Sequence, residues 1–494
     1  MTNHREDWQP LLAELQRRSA LAESMGGAQK VSRQHSRGRL DARARIGQLY
    51  DAGTFSEYGQ LAGTSHPGGE PPLAGDGVVG GTGQIDGRPV VVIAEDATVK
   101  GGSIGHVNAA KRARLVRLAL EQRLPLVLLL DGAGERSSNQ TERYPNSPGD
   151  LQLLADLQGR VPVVALVLGV SAGHGALCAL LADLVIMAQD AAMFSAGPPL
   201  VKAALGIEVT AQELGSAQMH ASASGVAHNT GTSEQDCFAM ARHFLSLLPQ
   251  HARGTVPLTR EQPGAAARRL DTLLDIIPTR TDQAYDMREV IAVLVDADTL
   301  LETQPGYGRT IITAFARIGG TPCLVLANQP AVLAGAITRE AAEKATHFMH
   351  VGSNFGLPLV SLLDNPGVMP GPDAERSGVL RAAAGMFVAQ RRYRGAKIVA
   401  TLRKAFGFGS SVMGMNPWDR QVISLALPGV SLGGVPAIGG AAAAHAGAEE
   451  AARLERLQSG AWVAADAMAF DKIIDPAELR NEIISALRSA SAVE

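Results

Sequence analysis

Short, nearly uninterrupted apolar runs recur along the chain at residues 90–94, 126–130, 161–168 and 184–188. Runs of this length, closed off by turn residues, predict strands buried on both faces, as in parallel sheets. Residues 108–122 carry helical spacing between them, so the pattern predicts repeated β-α units. The longer apolar tract 161–187 is interrupted by Gly169, Gly173, His174, Gly175 and Asp183, which a helix in hydrocarbon tolerates poorly. It reads as strand, glycine loop, helix and strand, and no membrane span is expected. Ahead of these units, Trp8, Leu11, Leu12 and Leu15 lie at helical spacing before the basic stretch 33–45. They predict an amphipathic helix leading into a packed domain.

The pattern is duplicated. Ile85-Asp-Gly-Arg-Pro-Val-Val-Val-Ile-Ala94 matches Ile318-Gly-Gly-Thr-Pro-Cys-Leu-Val-Leu-Ala327, an offset of 233 residues. The same offset pairs Leu124-Pro-Leu-Val127 with Leu357-Pro-Leu-Val360 and Asp131-Gly-Ala-Gly134 with Asp364-Asn-Pro-Gly367. Upstream, Arg43, Ile46, Asp51, Thr54 and Glu57 echo Arg288, Ile291, Asp296, Thr299 and Glu302 at an offset of 245. Self-similarity on this scale predicts two copies of one βα fold, with the seam in the interrupted stretch 251–278.

Composition narrows the class. Aromatic residues make up 4% of the chain against 46% hydrophobic residues in all, so the core is aliphatic and suits strands layered with helices. A formal charge of −3 supplies no bulk attraction to nucleic acid or an acidic membrane. Any anionic ligand must be held locally. Cys178, Cys237 and Cys323 are far apart with no CxxC pairing, which argues against a zinc ribbon or a disulfide framework and for a reducing cytoplasm. Residues 1–9 show no secretory pattern. The histidines lack HExxH spacing, so no metal is expected.

Each copy ends a strand in a small-residue loop that opens a helix: Gly169-Val-Ser-Ala-Gly-His-Gly-Ala176 after 161–168, and Ala405-Phe-Gly-Phe-Gly-Ser-Ser411 after 398–402. Free backbone N–H groups at such a helix start can converge on one oxygen, as an oxyanion hole requires. Amides fixed in this way stabilise the enolate formed next to a thioester. A tight strand-to-helix turn is the plain alternative for either loop alone. A second alternative is a serine hydrolase, because Gly169-Val-Ser171-Ala-Gly173 fits the G-x-S-x-G elbow, with Asp364 and His445 as unsupported partners. Lys100, Lys111, Arg112 and Arg114 are candidates for ligand phosphates or for a solvated helix face. Arg136 follows a strand end, where α/β sites lie.

At these loops and over nearly the whole chain the sequence resembles the carboxyltransferase (β) subunits of biotin-dependent acyl-CoA carboxylases, the propionyl-CoA and acetyl-CoA carboxylase group. The likeness is carried by residues 38–46, Gly75-Asp-Gly-Val-Val79, Gly101-Gly-Ser-Ile-Gly105, Ala196-Gly-Pro-Pro-Leu-Val-Lys202, Tyr285-Asp-Met-Arg-Glu289, Pro305-Gly-Tyr-Gly-Arg309, Asp364-Asn-Pro-Gly-Val-Met-Pro-Gly371, Arg403-Lys-Ala405 and Ile474-Asp-Pro476. The resemblance implies an α/β fold of two duplicated crotonase-like (ClpP/crotonase) β-β-α superhelix domains. Residues 1–255 would take the acyl-CoA and residues 256–494 the carboxybiotin. A homo-hexamer, a trimer of dimers, is implied, as is a separate subunit carrying biotin and its carboxylase, because this chain lacks the Met-Lys-Met attachment signature.

By the same resemblance the carboxyl group moves from carboxybiotin to the α carbon of a short acyl-CoA, with no side-chain base. The amide pairs fall on Gly173 and His174 and on Phe408 and Gly409. Ala133, Gly134, Arg136 and Ser411 fall on the substrate side, and Pro366 and Gly367 on the biotin side. The chain departs from the family at three places. The usual Gly-Gly of the first loop reads Gly-His-Gly, Phe408 replaces a glycine whose backbone it is not expected to copy, and residues 429–436 replace a Met-Gly-containing segment. These departures keep two alternatives open: a decarboxylase of a malonyl-type CoA that needs no biotin, and a degenerate scaffold subunit.

Overall fold

The computed structural model describes residues 4–64, 72–136, 149–259, 261, 264–416, 418–445 and 447–491. The chain forms two compact units, residues 1–245 with 250–253, and residues 246–249 with 254–494.

In the first unit the eight strands are β1 (Ser56–Glu57), β2 (Val78–Ile85), β3 (Arg88–Glu95), β4 (Leu126–Gly132), β5 (Val163–Ala172), β6 (Leu184–Ala188), β7 (Ala192–Phe194) and β8 (Asn229–Gly231). They form one sheet in the order β1-β2-β3-β4-β5-β6-β8, with β7 beside β5. β1, β2 and β3 are antiparallel, and every later pairing is parallel. The second unit repeats this plan with β9 (Leu301–Thr303), β10 (Ile311–Ile318), β11 (Thr321–Asn328), β12 (Leu359–Asn365), β13 (Lys397–Phe406), β14 (Gln421–Ala426), β15 (Ser431–Gly433) and β16 (Lys472–Ile473). Its order is β9-β10-β11-β12-β13-β14-β16, with β15 beside β13. Crossover helices such as His106–Gln122 and Arg339–Asn354 join the parallel strands, which a two-residue turn cannot do. The strands β4 and β12 are buried at every position; the apolar run 126–130 predicted the first, and the second is its counterpart in the repeat.

The repeated polar residues make the same bonds in both units. Arg43 pairs with Glu57 at 2.9 Å, and Arg288 with Glu302 at 2.7 Å. Asp51 accepts the N–H groups of Asp86 and Gly87, and Asp296 those of Gly319 and Gly320. These residues form two-residue hairpin turns with positive φ at both positions, +51° and +73° in one unit and +61° and +74° in the other. That backbone twist matches the twist of the flanking strands, so the carboxylate fixes the register of each hairpin.

Two expectations need correction. The helix His4–Glu23 forms, but Trp8 and Leu11 on its apolar stripe are 59% and 61% exposed and Leu12 and Leu15 are exposed as well. Within its unit this stripe lies on the surface, because the core is filled by the sheet and its crossover helices. The two glycine loops also begin later than their composition suggests, since β5 runs to Ala172 and β13 to Phe406. Strand pairing with β7 and β15 carries the extended backbone through the small residues.

Candidate active site

In the first unit β5 ends beside β7, with Ala172 opposite Phe194. Gly173 then turns the chain at φ +52° and ψ −109°, and the helix His174–Leu180 begins. Only glycine adopts this turn without strain. The N–H of Gly173 donates to the Phe194 carbonyl at 3.0 Å, so the donor expected there is committed to the sheet. The N–H groups of His174 and Gly175 lie in the first helical turn, where the helix itself supplies no acceptor. Facing them is the turn that follows β4. A Cβ on Gly134 would stand 2.7 Å from the Ala172 carbonyl oxygen, so glycine lets this turn close onto the loop. A cavity of 1110 Å³ opens here, lined by Ala133, Gly134, Gly173, His174, Leu177 and Phe194 among others. Arg136 stands just beyond the lining residue Glu135, but Asp76 at 2.8 Å and both Ser103 oxygens hold its guanidinium.

Beneath this loop runs a chain of buried charges. The Glu95 carboxylate accepts the Asp131 N–H at 2.8 Å and pairs with Arg112 at 3.0 Å. Arg112 also donates to Asp150 at 2.9 Å and to the Cys178 sulfur at 3.3 Å. Asp150 in turn receives His174 Nε2 at 2.9 Å. Burial alone would lower the His174 pKa, but bonding to Asp150 and the adjacent Cys178 outweigh it and raise it to about 9. Burial would raise Asp150, and His174 and Arg112 override it, holding the carboxyl well below its ordinary range. Ligating atoms of Asp150, His174 and Cys178 lie within 4.8 Å of one another. Arg112 bonds two of these residues, so a guanidinium already supplies the positive charge there.

In the second unit the corresponding turn is Gly407 at φ +57°, followed by Phe408 within the helix Gly407–Val412. Phe406 pairs with Gly433 as Ala172 pairs with Phe194, so Gly407 is the counterpart of Gly173 and Phe408 that of His174. The strained conformation expected of Phe408 falls one residue earlier, on a glycine. Phe408 takes ordinary helical backbone and leaves its ring 51% exposed. By this register Phe408 and Gly409 match His174 and Gly175. A Cβ on Gly409 would stand 2.6 Å from Gly367 Cα and 2.5 Å from Asn365 Oδ1, so the turn holding Pro366 and Gly367 abuts the helix start. Ser411 is half-buried, and its Oγ donates to Asn416 Oδ1 at 3.3 Å.

Other candidates are used structurally. Lys111 donates to the Val78 carbonyl at 2.7 Å and Arg112 belongs to the buried chain, so neither is available to a phosphate. Lys100 and Arg114 are exposed. Ser171 of the G-x-S-x-G pattern is fully buried in β5, with no hydrogen-bond partner for its Oγ. Asp364 is held by Arg403 at 2.9 Å. A nucleophile needs exposure and a base, and Ser171 has neither.

A model of the carboxyl transferase domain matches residues 33–492. The chain belongs to the carboxyl transferase domain family. It is 37% identical over 97% of its length, and 91% of the relative's, to the beta5 subunit of the biotin-dependent acetyl-/propionyl-coenzyme A carboxylase of Mycobacterium tuberculosis. It is 35% identical to the methylmalonyl-CoA decarboxylase subunit alpha of Veillonella parvula, over 80% of this chain and 78% of that one. Its fold superposes on the transcarboxylase 12S crystal structure with a TM-score of 0.90 at 32% identity, covering 98% of this chain and 96% of the other. That structure is a hexamer with methylmalonyl-coenzyme A and methylmalonic acid bound. The architecture is therefore the duplicated crotonase-like carboxyltransferase fold, and the chain is a carboxyltransferase of the biotin-dependent acyl-CoA carboxylase group.

Sequence reasoning did not find Glu95, Asp150 or Gly175. Pairing Gly173 with Gly407, an offset of 234 residues, would have pointed to Gly175. No short-range pattern marks Glu95 or Asp150, because they meet Arg112 only through the fold.

Proposed function

We propose that the chain is the carboxyltransferase subunit of an acyl-CoA carboxylase, with the acyl-CoA thioester at the first loop and the biotin side at the second. The observation that carries this reading is the paired geometry: in each unit a positive-φ glycine ends a strand and opens a helix whose first-turn N–H groups face a glycine turn. The His174 and Gly175 N–H groups hold the thioester oxygen as the α carbon loses its proton, and fixed donors aimed at that charge lower the barrier. Ala133 and Gly134 form the opposing wall of the cavity. Arg136 keeps that wall in place through Asp76. On the other side Phe408 and Gly409 offer the matching pair, with Pro366 and Gly367 against them and Ser411 on the same helix. Glycine at 409 lets the helix start close onto that turn, since a Cβ there would stand 2.6 Å from Gly367 Cα. Biotin, carried by a separate subunit with its carboxylase, supplies the transferable carboxyl group and a nitrogen able to take the α-proton. The subunit works in the cytoplasm as a hexamer, a reading supported by its three free buried cysteines and by its 12S structural relative. Among the described residues no helix is long and apolar enough to cross a membrane.

The test uses the purified chain with methylmalonyl-CoA or malonyl-CoA, with and without free biotin, following loss of the carboxyl group by mass spectrometry. Turnover that requires biotin is expected. Turnover without biotin supports instead a decarboxylase acting alone, and no turnover counts against the proposal. Light scattering gives the assembly mass and checks the hexamer.

A further inference from the structure

The second unit makes the same strands, crossovers and helix start as the first, yet it lacks the buried charge chain altogether. Where the first unit has Glu95, Arg112, His174 and Cys178, the second has Asn328, Ala345, Phe408 and Val412. The fold therefore does not demand these charges. In the first unit they sit where the loop and the facing turn meet. Glu95 bonds the Asp131 N–H, and its carboxylate also lies against the helix start, 3.4 Å from where a Gly175 Cβ would be. At the far end His174 is tied to Asp150, the first residue of the helix Asp150–Leu157. Asp150, His174 and Gly134 all line the cavity.

Resting on the proposed function, we infer that His174 is a positioning residue for carboxyl transfer: its ring, anchored on Asp150, is the last link of the chain Glu95–Arg112–Asp150–His174 that fixes the first-turn N–H groups of His174 and Gly175 against the turn 131–134. Glu95 and Arg112 are 1% exposed and the Asp150 side chain 4%, while the His174 side chain is 20% exposed. His174 is the most exposed link of the chain, so its side chain can be changed without unmaking the core. The charged and titratable groups around its ring are Asp150 from helix 150–157, Arg112 from helix 106–122, Glu95 from β3 and Cys178 from its own helix, with Glu135 on the cavity wall. A charged ring bonds Asp150 more strongly than a neutral one, so the anchor weakens as pH rises through about 9.

The experiment compares the full-length wild type with H174N in the methylmalonyl-CoA and biotin assay, measuring kcat and KM across pH. Wild-type kcat is expected to fall above pH about 9. H174N is expected to lose about tenfold to a hundredfold in kcat, with a much smaller change in KM, as misplaced catalytic groups do, and to lose the alkaline fall. Should H174N fail to fold, H174F makes the same comparison with the side chain that the second unit already carries at 408. A folded variant with wild-type kcat and an unchanged alkaline limb overturns the inference. A wild type inactive with biotin overturns the proposed function and takes this inference with it; an active wild type with indifferent His174 variants overturns this inference alone.

Discussion

The two loops are built on one backbone and filled with opposite chemistry. In the first unit the strand-end carboxylate Asp131 is held by Arg45, which reaches in from the helix Ala42–Leu49. It fits because position 169 is glycine: a Cβ there would stand 1.9 Å from Asp131 Oδ1. In the second unit the counterpart Asp364 is held by Arg403 from the strand itself, at the position matching Gly169. Arg403 is seated against the Tyr285 ring at 4.9 Å and on two backbone carbonyls. Around the next turn the first unit places a charge chain, and the second places Asn328 and Asn365 in amide contact at 3.2 Å. A duplicated backbone thus preserves the need, a neutralised carboxylate under the loop, and leaves the source of the neutralising group free.

The largest effect expected from this difference is on stability. R112M leaves Glu95 and Asp150 buried with no guanidinium, and losing one partner of a buried pair costs about 3–5 kcal/mol. R403M leaves Asp364 with Lys404 at 3.6 Å as its remaining cation, so its cost is expected to be the smaller of the two. Chemical denaturation of each variant should show an early transition, with R112M loosening the first unit and R403M the second. If both lower one shared transition equally, the units do not unfold independently.

The next effect depends on pH. The His174 pKa in the folded chain, about 9, lies above its ordinary value of 6.5, so its ion pair stabilises the fold fully below pH 6.5 and the stabilisation fades as pH climbs through 9. At neutral pH that contribution is about 2 kcal/mol. The difference in melting temperature between wild type and H174F should shrink steadily from pH 7 to pH 10. F408H puts a histidine at a position that is 51% exposed and should show a weaker trend.

Smaller changes test the close approach of turn and helix. G409A forces a methyl to within 2.5 Å of Asn365 Oδ1, whereas G175A meets Ser171 Oγ at 3.0 Å. Overpacking of the first kind costs about 1–3 kcal/mol, and G175A should cost less, by thermal melt. The smallest effect is F408A. Its ring is half exposed, so stability should change by about 0.5 kcal/mol or less. Any loss of turnover would then be read as a contact of the ring on the biotin side, and unchanged KM for biotin would remove that role.

Apolar patterning along the chain was enough to mark the strands, their duplication and the region of both loops. Unbroken apolar runs such as 126–130 admit few structures besides a buried strand, and the repeat at 85–94 and 318–327 carries the hairpin turn with it. Arg43 and Glu57, or Asp51 and its turn, were legible as matched positions because the same residue types recur at fixed offsets in both copies. Which amides are left for a ligand depends on contacts between distant strands. Gly173 is held by pairing with β7, an edge contact that no local pattern encodes, and so the donor pair moves to His174 and Gly175. Distant contacts make Lys111 and Arg112 structural as well. Their partners, Val78, Glu95 and Asp150, come from separate elements, and a cation in a helix reads the same in sequence whether its face meets water or a buried carboxylate.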